Sequence, residues 1–408
     1  MYWIFKKILI WFVLFINIIG LFSCTSSNDV SVDHVNEYAW GRDKWCVFND
    51  TFYAQYRNGI VHYCELPLLS EMNEYALPLC FDPLCDHVAS DCMAYLDGYS
   101  ASICVNENNG SLYLYYTMSI FDEEDEEIYV IEQKNISDDE TERLITESDI
   151  IQRFMLIDTG IFYELTCGYE QKIFYYSFEE KTITPISSDG KYYYLIGYEN
   201  NCIYYNDSES IVYKVNLFEN NGQQQILKGI LPYGYYVYNG NLLYPGNIAN
   251  KSVDGIVFNE VTLCSTSLSE PNGKTGNVIA YDVCCYGNVG AEIFNNKLYY
   301  ISNSPEYVGT KKEYYEDGSE EEYVVFNEHK GQLWEYDLIT GEENLVFNDI
   351  GLNIRTILYA SDSYIIFKST AEGYKNIEKY NPYTSIYSFD RNNGVLSELL
   401  YYGPADYD

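Results

Sequence analysis

The sequence predicts an all-β protein, namely a single β-propeller of seven four-stranded antiparallel blades that follows an N-terminal lipoprotein signal. Three observations predict this fold. An aromatic-rich strand recurs seven times, aromatic residues make up 17% of the 408 residues, and the first 24 residues form an export pattern. Aromatic side chains favour strands because they fit a pleated, half-buried surface. No linker rich in proline, glycine or serine divides the chain, so one domain is expected.

The first element is the export signal. Two lysines precede an apolar run at residues 8–22, which is shorter than the roughly 20 residues that span a bilayer. A serine and Cys24 follow, and this order is typical of a secretory signal whose end resembles the lipobox of bacterial lipoproteins. We expect cleavage before Cys24 and lipidation of its sulfur, giving a signal peptide at 1–23 and a lipidated tether at 24–34. The alternative is an uncleaved signal anchor.

Composition restricts location and partners. The chain has 24 Lys+Arg against 61 Asp+Glu, a net charge of −37. Binding to nucleic acid requires clustered cations that face phosphates, so nucleic acid is excluded as a partner. An N-terminal lipid such as palmitate would hold the exported protein on the outer face of the cytoplasmic membrane. We expect a monomer with a largely solvated acidic exterior.

The internal repeat predicts the propeller. Aromatic-rich segments begin at residues 52, 112, 161, 202, 242, 298 and 364, at intervals of 40 to 66 residues. Hairpin signals follow them, as at Asp337 and Asp390, where Asp accepts turn N–H groups and a later Gly supplies positive φ. Units of this length built from short antiparallel strands are typical of propeller blades. Seven repeats predict seven blades within residues 35–408, with six or eight as alternatives. Two β-sandwiches would not explain the even recurrence.

Strand order predicts which face of the disc carries the long loops. If the aromatic segments are strand b of each blade a-b-c-d, the b–c loops and the d-to-a connectors emerge on one face. We expect all large insertions there and short a–b and c–d turns on the other face. Binding residues concentrate on loops held by a rigid scaffold, so the insertion-bearing face is the predicted recognition surface. Its insertions are residues 119–127, 245–259, 305–330 and 369–384, together with the connector at 80–100.

The most specific local motif lies in that connector, where Cys80, Cys85, His87 and Cys92 stand within thirteen residues. Exported proteins keep disulfides, and a loop without its own core gains most from one, so we expect at least one bridge here. A metal site is the alternative, because three thiolates and an imidazole suit Zn²⁺. The single residue between Cys85 and His87 departs from standard zinc motifs. Free thiols are the third possibility. The cysteines considered for a bridge are Cys64, Cys80, Cys85, Cys92 and Cys104.

The same segment carries a family resemblance. Its pattern is C-x-D-P-x-C-x-H-x4-C-x-A-Y, beginning at Cys80 and ending at Tyr95. Together with the lipobox and the tyrosine- and asparagine-rich repeat, it resembles a family of uncharacterised β-propeller lipoproteins from gut-type Firmicutes. The resemblance spans the chain and implies the fold and the surface location. It implies no activity.

No motif indicates catalysis, since the chain lacks a G-x-S-x-G elbow, an H-E-x-x-H motif, a P-loop and a dinucleotide-binding glycine pattern. We therefore expect a scaffold that recognises a cell-surface glycan or an envelope protein. The alternative is a carbohydrate-active hydrolase or lyase that uses carboxylates of the same loops. We expect no cofactor, with a structural Zn²⁺ or Ca²⁺ as the alternative. The ligand-binding candidates are Tyr307, Tyr314, Tyr323, Tyr374 and Tyr380.

Overall fold

The computed structural model describes residues 39–402 with internal gaps, and every regular element in the described part is a β-strand. No helix there could cross a membrane. The export signal, Cys24 and the tether lie outside the described residues. All described residues belong to one compact unit that spans residues 37–408. The gaps are 42–43, 56–58, 66–76, 81, 83, 88–91, 97–101, 109, 139, 188–189, 220–221, 230, 232–233, 254–255, 270–275, 287, 290, 304–305, 315–319, 328–330, 349–352 and 371–383.

The strands form the seven four-stranded antiparallel blades of a β-propeller, as predicted. A short strand, β1 (Ala39–Gly41), precedes them. Blade 1 contains β2 (Trp45–Phe48), β3 (Thr51–Gln55), β4 (Val61–Glu65) and β5 (Leu77–Pro78). Blade 2 contains β6 (Ile103–Asn108), β7 (Ser111–Phe121), β8 (Glu127–Asn135) and β9 (Thr141–Glu147). Blade 3 contains β10 (Ile150–Ile157), β11 (Gly160–Cys167), β12 (Glu170–Ser177) and β13 (Ile183–Pro185). Blade 4 contains β14 (Tyr193–Glu199), β15 (Cys202–Asp207), β16 (Ile211–Asn216) and β17 (Gln224–Lys228).

The remaining three blades contain the longer insertions. Blade 5 contains β18 (Tyr236–Tyr238), β19 (Asn241–Val253), β20 (Ile256–Ser267) and β21 (Asn277–Tyr286), which pairs with the short β22 (Asn288–Val289). Blade 6 contains β23 (Ala291–Phe294), β24 (Lys297–Asn303), β27 (Gly331–Asp337) and β28 (Glu343–Asn348), and it carries the inserted hairpin β25 (Glu306–Tyr314) and β26 (Glu320–Asn327). Blade 7 contains β29 (Asn353–Ala360), β30 (Tyr364–Thr370), β31 (Thr384–Asp390) and β32 (Val395–Tyr402).

Each recurring aromatic segment is the second strand of its blade, as predicted. These are β3, β7, β11, β15, β19, β24 and β30. In a propeller the neighbouring blades cover this strand on both faces. Large aromatic rings on it are therefore the most completely buried, which gives the largest hydrophobic stabilisation. Six of the seven carry a fully buried aromatic side chain, and blade 5 buries leucines instead. The buried rings are Phe52, Tyr115, Phe162, Tyr163, Tyr205, Tyr299 and Phe367.

The ring closes through side chains, because the sheets of blades 1 and 7 are each built from one continuous stretch of chain. Phe52 and Cys64 of blade 1 pack in one buried cluster with Leu358 and Ile366 of blade 7. The Tyr359 hydroxyl donates a hydrogen bond of 3.1 Å to Asp50. This seam therefore depends on apolar packing.

The two faces of the disc differ much as predicted. We call the face with the b–c loops and d-to-a connectors the loop face, and the other the turn face. The insertion at 305–330 falls between β24 and β27, and the 80–100 connector falls between β5 and β6, so both lie on the loop face. The prediction that every large insertion lies there is wrong. The connections from β4 to β5 in blade 1 and from β20 to β21 in blade 5 are also long, and c–d connections start and end at the turn face.

Strand β1 was not anticipated from the sequence. It pairs antiparallel with β10, adding a fifth strand at the inner edge of blade 3, and it also contacts β6, the inner strand of blade 2. The Arg153 guanidinium lies 5.3 Å from the centre of the Trp40 ring, a cation–π contact. A Cβ at Gly41 would come within 2.0 Å of the buried Phe154 ring. Glycine thus permits this close docking.

A buried carboxylate links blades 6 and 7. Glu335 of β27 lies 3.1 Å from Lys297 and 2.8 Å from Arg391, which belongs to blade 7. Arg391 also donates to the Tyr299 hydroxyl at 3.1 Å. Burial acts to raise the pKa of the Glu335 carboxyl, but the Tyr299 hydrogen bond and the neighbouring cations outweigh it and hold that pKa below its usual value. The carboxylate therefore stabilises the seam between blades 6 and 7 in its charged form.

We predict that Glu335→Gln lowers the free energy of unfolding by about 2–4 kcal/mol at pH 7, because it leaves two cations without their shared partner. The folded-state pKa lies below the unfolded value, so this stabilisation is present above about pH 4.3 and is lost as pH falls through the folded pKa. Urea unfolding of both proteins should therefore give curves that converge in acid. Glu123→Gln, in an exposed turn, is the control. A difference that is independent of pH would contradict the role of the charge.

We predict that Gly41→Val separates β1 from blade 3, because the added atoms would overlap the Phe154 ring. Amide hydrogen exchange should increase for peptides covering residues 39–41 and 150–157. Peptides from β15 in blade 4 should keep the wild-type rates and serve as the internal control. Unchanged exchange in both regions would show that β1 is not docked as described.

Candidate metal centre and recognition face

The connector between blades 1 and 2 is fixed to blade 1 by backbone hydrogen bonds. The Leu79 amide donates to the Val61 carbonyl at 2.8 Å, and the Val61 amide donates to the Ala94 carbonyl at 2.8 Å. The Leu96 amide donates to the Gly59 carbonyl at 2.9 Å. The two ends of the connector thus lie beside the start of β4. Leu79, Ala94 and Leu96 are buried in the apolar cluster between blades 1 and 2. The connector is therefore part of the inter-blade packing on the loop face.

The four residues of the sequence motif come together in this connector. The ligand atoms of Cys80, Cys85, His87 and Cys92 all lie within 4.8 Å of one another. The Cys92 sulfur is 3.6 Å from Nδ1 of His87. Cys92 is buried and the other three are half-buried. In the described part of the chain, no other group of three or more His, Cys, Asp or Glu residues converges in this way.

Local turns bring these side chains together. The Asp82 carboxylate accepts a hydrogen bond from the Leu84 amide at 2.9 Å, and the Asp82 carbonyl accepts one from the Cys85 amide at 3.2 Å. This turn returns Cys85 towards Cys80. His87 has a φ of 56°, in the left-handed region, so the chain reverses at the ligand itself. That reversal accommodates the single-residue spacing that departed from standard zinc motifs.

The disulfide expected in this segment is not found, because the five cysteines considered for it, Cys64, Cys80, Cys85, Cys92 and Cys104, are free thiols in the structure. Cys64 packs at the seam between blades 1 and 7, whereas Cys104 packs in the core shared by blades 2 and 3. Each is therefore held in a different apolar cluster from Cys92. Burial raises the pKa of the Cys92 thiol to about 11, and the nearby Cys85 and Cys80 add to the shift. A cation among these sulfurs would reverse that preference for the protonated form.

The predicted ligand-binding tyrosines are only partly described. Tyr307 and Tyr314 lie in β25 and Tyr323 lies in β26, so the structure brings three of them onto the hairpin inserted in blade 6. In the backbone register Tyr323 is opposite Lys311, and Tyr314 is opposite Glu320. Tyr374 and Tyr380 fall within residues 371–383, outside the described part of the chain.

Sequence reasoning missed three exposed apolar residues on the loop face. Tyr169, in the tight b–c turn of blade 3, is 95% exposed, and Phe121, at the end of β7, is 70% exposed. Leu84, in the connector, is 91% exposed. They belong to loops of blades 1, 2 and 3, which are consecutive in the ring. The turn position of Tyr169, directly after Gly168, was the one signal in the sequence that could have identified it.

Several carboxylates in the described region have structural partners. Glu132 pairs with Arg143 at 2.9 Å, and Glu164 pairs with Arg153 at 2.7 Å. In the acidic run of blade 2, the Asp122 carboxylate accepts hydrogen bonds from the amides of its own turn at 2.8 and 3.0 Å. These groups hold strands and turns in place, and the arrangement does not single out a pair for glycoside hydrolysis.

No protein-family model and no curated protein matches the chain. Solved structures with a similar arrangement include a prolyl endopeptidase (10% identity, TM-score 0.47, covering 88% of this chain and 49% of that one). The tricorn protease is another (10% identity, TM-score 0.41, covering 88% of this chain and 44% of that one). A third is an oligogalacturonate lyase in complex with manganese (8% identity, TM-score 0.43, covering 75% of this chain and 85% of that one). The chain therefore spans about half the length of the first two. Likenesses of this size carry no information about activity.

Proposed function

We propose that this protein is a cell-surface lipoprotein whose loop face recognises a glycan or an envelope protein. One observation carries the proposal. The 305–330 hairpin, the connector and the exposed Tyr169 all lie on the loop face, whereas the chain enters the propeller from the turn face. The most elaborated surface thus lies on the face opposite the one at which β1 enters the propeller.

The direction of β1 supports this orientation. Ala39 pairs with Leu156, which lies next to the a–b turn of blade 3, and Gly41 pairs with Phe154 further inside the strand. The chain therefore enters at the turn face and proceeds towards the loop face.

The chemistry of the loop face suggests the kind of ligand. Exposed rings such as Tyr169 and Phe121 can stack on the apolar faces of sugars or dock against a protein surface. The exposed acidic run from Asp122 to Glu127 lies beside Phe121 and disfavours anionic ligands. A neutral glycan or a cationic protein segment fits these features best.

We predict that Cys24→Ser releases the protein from the membrane fraction or leaves it unprocessed at its full mass. Lipidation at that sulfur would be lost, and one lipid-bearing residue is the only anchor proposed. Fractionation and intact-mass measurement of the wild type and the variant provide the test. Unchanged membrane retention at unchanged mass would instead support an uncleaved signal anchor.

We predict that Tyr169→Ala weakens retention on the bound glycan or envelope protein by roughly 5- to 30-fold, the effect of losing an aromatic contact worth about 1–2 kcal/mol. Phe218→Ala is the matched control, since that ring is 66% exposed in a c–d turn on the turn face. The detergent-solubilised full chain would be assayed on a glycan panel and on purified envelope proteins.

Both retention and product release should be followed in that assay. Equal losses for the two variants would contradict recognition through the loop face. Released product, abolished by one carboxylate substitution on that face, would establish the hydrolase or lyase alternative instead.

A further inference from the structure

We infer that Cys80, Cys85, His87 and Cys92 bind one structural Zn²⁺ ion that fixes the connector at the seam between blades 1 and 2. The inference does not depend on the proposed recognition function. It rests on the ligand types, on the separations of their donor atoms and on the place of the four residues in the fold.

The separations fit a tetrahedral ion. With Zn–S distances of about 2.3 Å and a Zn–N distance of about 2.0 Å, tetrahedral angles place sulfur and nitrogen about 3.5 Å apart and two sulfurs about 3.8 Å apart. The Cys92 sulfur and Nδ1 of His87 are 3.6 Å apart. All four donor atoms lie within 4.8 Å of one another, so small side-chain adjustments would complete the coordination.

The donor set selects the metal. Three thiolates and one imidazole form a soft site, which suits Zn²⁺ and disfavours Ca²⁺ and Mg²⁺, whose ligands are oxygens. Four protein ligands leave no open position for water or substrate, and this is the arrangement of structural sites. The ion would therefore act in folding.

The position of the ligands explains what the ion would stabilise. Cys80 follows Leu79, and Cys92 lies two residues before Ala94, so the outer ligands adjoin the two places where the connector is hydrogen-bonded to blade 1. A metal bridging them would close the 80–92 segment into a loop and preserve the pairing on both sides of Val61. The ion would raise the stability of the folded protein in two ways: it restricts the conformations of the unfolded chain, and it forms metal–ligand bonds.

The test uses the full-length chain, extracted in detergent and purified without chelators or oxidants. Elemental analysis should find one zinc per chain. Cys85→Ser should lose most of this zinc, whereas Cys167→Ser should retain it, because Cys167 is a half-buried free thiol at the far end of β11. Replacement of zinc by Co²⁺ should give the intense visible absorption of a tetrahedral cobalt–thiolate site, weakened in Cys85→Ser.

A second measurement on the wild-type protein covers the possibility that Cys85→Ser misfolds. Removal of the metal by a chelator should accelerate hydrogen exchange in peptides that contain Val61, Tyr95 and Leu96, and leave β15 in blade 4 unchanged. Zinc re-addition should restore the original rates. Three results would each overturn the inference. The first is substoichiometric zinc that Co²⁺ cannot replace, and the second is a disulfide within the segment, such as Cys80–Cys92, in peptide mass mapping. The third is hydrogen-exchange rates that do not change when the metal is removed by the chelator.

Discussion

The rest of this structure depends on the burial of strand b between neighbouring blades. A single blade cannot bury its own apolar faces, so each blade is stable only when its neighbours cover it. Rings such as Tyr115, Tyr205 and Phe367 are placed where that covering is complete. Replacing a buried ring of this kind with alanine typically costs about 3–5 kcal/mol, so the seven aromatic segments set the order and number of the blades.

Polar contacts add specificity to this apolar arrangement. Between blades 3 and 4, Glu164 accepts a hydrogen bond from the Leu195 amide at 2.5 Å, while Gln171 donates to Glu164 at 2.9 Å and to the Tyr193 carbonyl at 2.8 Å. A buried carboxylate is tolerated because each of its oxygens has a partner. Such contacts fix one rotation of a blade against the next, where apolar packing alone would accept several.

The parts of the fold that were predictable from the sequence are those encoded locally. Aromatic spacing identified strand b of all seven blades, and Asp337 marked a c–d turn whose amides its carboxylate does bind, at 2.8 Å. The pairing of β1 with β10 was not predictable, because a three-residue strand joined to a partner more than 100 residues away leaves no periodic signal. The length of the connection between β4 and β5 was missed because no aromatic repeat marks the end of β4.

The sequence located the Cys/His segment correctly, and the structure brings its four donor atoms together without the expected disulfide. The spacing of the residues gives the number and type of donor atoms. Whether they form a disulfide or bind a metal depends on their arrangement in space: a disulfide needs two sulfurs in contact, whereas a metal needs several donors around one point. Backbone geometry, namely the Asp82 turn and the left-handed φ of His87, brings the four side chains close to one another here. Neither can be derived from cysteine spacing, although aspartate followed by proline does favour a turn.

The seam between blades 1 and 2 concentrates the elements that lie outside the repeat. The connector inserts Leu79, Ala94 and Leu96 into it, and β1 contacts β6 of blade 2 from the inner edge. A ring whose first and last blades share no strand has to gain rigidity from its packing and from such additions. Because β1 contacts the inner strand of blade 2 and the connector packs between blades 1 and 2, blade 2 is held by two elements that lie outside the repeat.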